Sequence, residues 1–136
     1  MQWILVLTLA MDLAAVKSEP NLEKRCDRAL DYANLALDMA RDAYGRGEFE
    51  ETQTQVHEVG ASVDVAYEAL EQTGKDPARN PKAFKRAEMR TRELLRRIEG
   101  LLQTVNYADR EAVEKVHERV AEIHDKLLEG IMSKRK

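Results

Sequence analysis

The sequence predicts an all-α protein: an antiparallel up-down-up-down bundle of four long helices. These span about residues 20–44, 48–73, 81–105 and 109–132, after a short apolar N-terminal segment. Three observations carry the prediction. Phe84, Ala87, Thr91, Leu94, Ile98, Leu101 and Val105 recur at alternating steps of three and four, which holds one helix face toward a partner over six turns. Charged residues make up 35% of the chain and aromatics 5%, a balance suited to solvated helices rather than to a sandwich or a parallel-sheet enzyme. The 6 glycines and 3 prolines gather where helices should stop. A lone helix of this pattern would not stay folded in water, so the seam requires partners.

The 136 residues are expected to form one domain over 20–133, with 134–136 as a frayed basic tail. A net charge of −3 implies no general attraction to nucleic acid or to anionic lipid. The one cysteine, Cys26, excludes an internal disulfide framework and a cysteine-based zinc site.

Residues 1–16 are read as a signal peptide or, alternatively, an extra N-terminal helix. Trp3 to Met11 is apolar apart from Thr8, Asp12 interrupts, and Leu13 to Val16 resumes. The run is too short to span a membrane, which takes about 20 apolar residues. It fits the hydrophobic centre of a secretory signal, with small residues at Ala10, Ala14 and Ala15, although no Lys or Arg precedes it. The expected location is therefore exported or periplasmic, with the cytoplasm as the alternative.

Helix one is expected to start near Pro20, favoured in a first turn, and to end at Tyr44 with Gly45 as a left-handed cap. Its inner face is small: Cys26, Ala29, Ala33, Ala36, Ala40 and Ala43, edged by Leu30, Leu37 and Tyr44. Helix two opens with Glu48, Glu50 and Glu51 at its positive end and turns Phe49, Val56, Val59, Val63, Ala66 and Leu70 inward before Gly74. From Glu48 to Gly74 there are seven acids and no Lys or Arg. Asn80 is the expected cap of helix three, and Asp109 that of helix four, whose seam is Val113, Val116, Val120, Ile123, Leu127 and Ile131. Arg79 to Gly100 holds eight Lys or Arg against three Glu, so attraction between the acidic second helix and the basic third is the expected glue. Helix one also aligns weakly with helix three, laying Ala29 on Ala87, Ala36 on Leu94 and Ala40 on Ile98.

Leu37, Ala40, Ala43, Tyr44, Gly47, Phe49, Glu50 and Glu51 resemble the turn of a tetratricopeptide repeat, over about 15 residues. Thr52 stands where that repeat has a small residue, helix two runs past the repeat's length and the pattern occurs once. The resemblance is read as convergent helix-turn chemistry.

Motifs for catalysis are lacking. Glu114 and His117 form one Glu-x-x-His, but a di-iron bundle needs a second copy, and Ala121 and Thr54 stand where its acids would precede His124 and His57. His117 and His124 are expected to flank the seam with their tips in water. No phosphate loop, nucleophile elbow or His-Glu-x-x-His occurs. Cys26 falls on the inner face, where a thiol behaves as a small hydrophobe. The chain is thus expected to be no enzyme and to need no cofactor or metal, and it shows no identifiable small-molecule substrate.

Two surfaces remain. Tyr32, Leu35 and Met39 form an apolar stripe on an outward face of helix one, the expected contact for a protein partner or a second copy. Lys85, Arg86, Arg92 and Arg96 form the basic side of helix three, an alternative contact for phosphate or nucleic acid. The expected function is a non-enzymatic structural or protein-interaction module.

Overall fold

The computed structural model describes residues 13–133. The apolar run 3–11, most of the signal-peptide reading and the basic tail 134–136 lie outside those residues. Four long helices pack together: α1 (Leu22–Gly45), α2 (Phe49–Gln72), α3 (Lys82–Thr104) and α4 (Arg110–Met132). A 3₁₀ turn, Tyr107–Asp109, precedes α4, and residues 13–17 form a helical turn ahead of α1.

The helix ends follow local chemistry that differs in detail from the expectation. Asn21, not Pro20, begins α1: its Oδ1 accepts from the Lys24 amide at 3.0 Å. Gly45 is still helical, and Gly47, at φ 76°, makes the left-handed reversal. Gly74, at φ 70°, ends the second helix as expected. Asn80 is not a cap. Asp76 organises that link instead, its carboxylate accepting from the Ala78 amide at 2.9 Å and its carbonyl from the Asn80 amide at 2.8 Å. Asp109 stands at the cap position of α4 without a side-chain bond, and Asn106 accepts from its amide at 3.1 Å.

Cross-helix bonds fix the directions. Tyr32 reaches Glu58 and Arg25 reaches Gln72, so α1 and α2 are antiparallel. Glu99 meets His117 and Glu88 meets His124, so α3 and α4 are antiparallel. Asp27 with Arg86, Asp31 with Arg90 and Asp38 with Arg97 ascend together, which makes α1 and α3 parallel neighbours. Likewise Gly60 faces Val116 and Asp64 meets Arg119, so α2 and α4 run parallel. The chain goes up, down, up, down, but as one antiparallel hairpin laid on a second, with α2 and α3 across a diagonal and only slightly in contact.

That layout corrects the charge argument. Arg86, Arg90 and Arg97 of α3 pair with Asp27, Asp31 and Asp38 of α1, not with the acids of α2. It also decides which helix the alanines of α1 face. Asp27, Asp31 and Asp38 mark the flank of α1 that faces α3, and Tyr32 marks the flank that faces α2. Ala29, Ala36 and Ala43 share the Tyr32 side, so they meet the second helix rather than the Leu and Ile seam of the third. On α2 the small residues Ser62 and Ala69 are buried at the same seven-residue spacing, and this pair of helices has the most extensive contact in the bundle. Small side chains on both sides let the backbones approach.

The centre is filled by Leu30, Leu37, Leu70, Leu94, Ile98 and Ile123, each at most 1% exposed. Burial of each such side chain contributes about 1.5–3 kcal/mol. Buried hydroxyls are satisfied within their own helices: Thr91 donates to the Ala87 carbonyl at 2.9 Å and Ser62 to Glu58 at 2.7 Å. Phe49 is an exception to the expected seam. It is 44% exposed and lies against Tyr44, ring centroids 5.3 Å apart, at the turn between the first two helices.

Candidate functional site

The stripe Tyr32, Leu35 and Met39 is divided by the fold. Tyr32 is buried, with its hydroxyl donating to Glu58 Oε1 at 2.9 Å, which corrects its outward placement. An aromatic ring with a polar tip is well served by this position, its body covered and its oxygen on a carboxylate. Val16, from the helical turn 13–17, is buried in the same core. Arg25 Nε donates to the Glu19 carbonyl at 2.8 Å and Arg28 meets Glu19 at 3.5 Å, clasping that turn to α1. Between turn and helix lies a groove of about 260 Å³ lined by Ala15, Val16, Arg28, Asp31, Tyr32 and Leu35. Leu35 remains 43% exposed on its rim and Met39 is half-buried.

The four basic positions do not converge on one site. Arg86 forks onto both oxygens of Asp27 at 3.1 and 3.2 Å. Arg92 forks onto Glu88 at 3.0 and 2.7 Å. Lys85 and Arg96 are exposed and, among the described residues, make no hydrogen bond or ion pair. Half of the expected anion contact is therefore occupied by carboxylates of the chain itself.

Sequence reasoning missed the most constrained polar group, Glu88. Its side chain is 9% exposed, held on one side by Arg92 and on the other by His124 Nε2 at 2.7 Å. The Arg92 guanidinium holds the carboxyl below the usual range, with His124 acting in the same direction against the cost of burial. His124, expected to have its tip in water, is instead largely covered against Glu88, whereas His117 meets Glu99 at 3.0 Å and stays 28% exposed. One signal was available: Glu88 and Arg92 stand four apart on one helix face. The partner on α4 was not legible, because no local pattern brings positions 88 and 124 together.

Cys26 is 2% exposed, and burial, with the Asp27 charge beside it, pushes its thiol up to about 12. Among the described residues no group of three or more His, Cys, Asp and Glu is placed to hold a metal ion. None of the described helices is long and apolar enough to cross a membrane. A cleft of about 510 Å³ lies between the C-terminal ends of α1 and α3, lined by Asp38, Arg41, Asp42, Tyr44 and Leu101 among others. A second of about 330 Å³ lies where Pro77 packs on Gly130, over Tyr67, Phe84 and Leu127.

The residues thus define a helical bundle in which, among the described residues, Asp27–Arg86, Asp31–Arg90, Asp38–Arg97, Asp64–Arg119, Glu99–His117 and Glu88–His124 join neighbouring helices. Compared with known proteins, the chain matches no family model, no curated protein and no solved structure.

Proposed function

We propose that this chain is a non-enzymatic structural or protein-interaction module acting through its surface. The observation that supports the reading is Leu35, exposed on the rim of an apolar groove and next to half-buried Met39. A large aliphatic side chain in that position loses water on contact and contributes to association without any chemistry. The internal use of Arg86, Arg90, Arg92, Arg97 and His124 favours the same reading, since those groups are already engaged.

Leu35→Glu tests it directly. Circular dichroism is expected to be unchanged, while any oligomer that light scattering still detects at about 0.5 M sodium chloride, where exposed ion pairs are screened, is lost. A high-salt oligomer that survives the substitution would exclude this surface, and stoichiometric metal in the purified chain would overturn the non-enzymatic reading. Export belongs to the same proposal, and the native mass tests it: an N-terminus intact at Met1 in the soluble cytosol rules it out. The alternative, phosphate or nucleic-acid binding through α3, retains Lys85 and Arg96 as free contacts. A salt-sensitive shift of short RNA at low salt would favour it.

A further inference from the structure

Phe49–Gln72 carries six acids and no Lys or Arg. Lys82–Thr104 carries seven Lys or Arg and three Glu; Arg86, Arg90 and Arg97 pair with α1 and Arg92 with Glu88, so Lys82, Lys85 and Arg96 remain for an outside contact. The two helices lie across a diagonal of the bundle, and among the described residues no ion pair joins them. On the second helix Glu50, Glu68 and Glu71 are exposed. On the third, Lys85, Met89, Arg92 and Arg96 form one continuous outer row, with Met89 60% exposed at its centre. From this opposition we propose that a second copy of the chain docks its acidic α2 face on the outer row of α3, deepening the interaction-module reading on which it rests.

The contact joins two different patches, so it is heterologous: each molecule that uses its basic row still presents a free acidic face. Such assemblies grow into rings or open chains rather than stopping at a symmetric dimer. Opposite charges at separate corners also orient approaching molecules before they touch. Solvent-exposed ion pairs are individually weak, so the assembly is labile and strongly salt-dependent. Met89 supplies an apolar contact at the middle of the charged row.

Sedimentation velocity of the full chain tests this at about 10 mM and about 0.5 M sodium chloride, where the Debye length falls from roughly 30 Å to about 4 Å. At low salt the weight-average mass is expected to reach about twice the chain mass or more and to rise with concentration; at high salt it returns to monomer. The variant K85E/R96E and the variant E50K/E68K/E71K are each expected to be folded and monomeric. Mixed one to one, they regain association, because each again offers a face complementary to the other. Arg92 is left in place, since it also supports Glu88.

A monomer at both salt concentrations overturns the pairing while leaving the module reading with a partner of different chemistry. Association that survives charge reversal but is lost in Leu35→Glu also overturns it and assigns the contact to the groove. A monomer that binds short RNA in a manner lost in K85E/R96E overturns it in favour of an anion site on the same row.

Discussion

Glu88 shows how a single residue can carry more constraint than its sequence neighbourhood announces. It occupies a helix interior, 7% exposed, and avoids the cost of a buried charge by accepting from Arg92 on its own helix and bonding to His124 on the next. Because its folded carboxyl titrates below the ordinary value of 4.5, the stability it contributes is present above that value. It is lost as the pH falls through the lower folded value. Glu88→Gln is expected to destabilise the chain by about 1–3 kcal/mol at about pH 5. In acid titrations followed by urea unfolding, the gap between wild type and Glu88→Gln should shrink below pH 4.5. A gap that widens in acid would contradict the assigned bonds.

At the scale of the element, the pair α1 and α2 depends on small side chains, and the two most informative substitutions have opposite signs. Ala36 has no exposed surface and lies on the flank that meets the second helix. Ala36→Leu is expected to force the helices apart and cost about 1–3 kcal/mol, read as a lower urea midpoint. Gly100, inside α3, has nothing within 4 Å of the position a Cβ would take. Gly100→Ala is expected to stabilise by about 0.5–1 kcal/mol, because it lowers the entropy lost on helix formation without meeting a neighbour. Gly130 differs: a Cβ there would stand 3.1 Å from Pro77, so the link that crosses the bundle can close over it only as glycine or by yielding. The ion pairs between α1 and α3 are exposed on one side or both, as with Asp31 at 70%, and set the register more than they add stability.

For the whole molecule, Cys26 is a natural reporter of opening. Its thiol is buried and raised to about 12, so it reacts only when the bundle lets solvent in. Labelling with a thiol reagent at about pH 8 is expected to be slower than in the unfolded chain by on the order of 10³-fold or more, and to track global unfolding. Fast native labelling would mean that α1 opens separately from the rest.

Four helices, their approximate limits and the residues of three of the seams were legible in the sequence, because a three-four apolar period is a local property of the chain. Ala29, Ala33, Leu94, Ile98, Val120 and Ile123 are all buried where the period puts them. Cap chemistry was only partly legible, since Asn21, Asp76 and Gly47 are as short and polar or as permissive as the neighbours that were expected to serve. The basic and apolar surface residues could be named, but not which of them the fold would consume. Periodicity says which side of a helix faces inward and is silent on which helix lies there. That choice, α1 beside α3 with α2 across the diagonal, belongs to the tertiary structure. It buries Tyr32, pairs Arg86 with Asp27 and Glu88 with His124, and puts the acidic and basic helices at opposite corners, because packing selects among neighbours that the local pattern treats as equivalent.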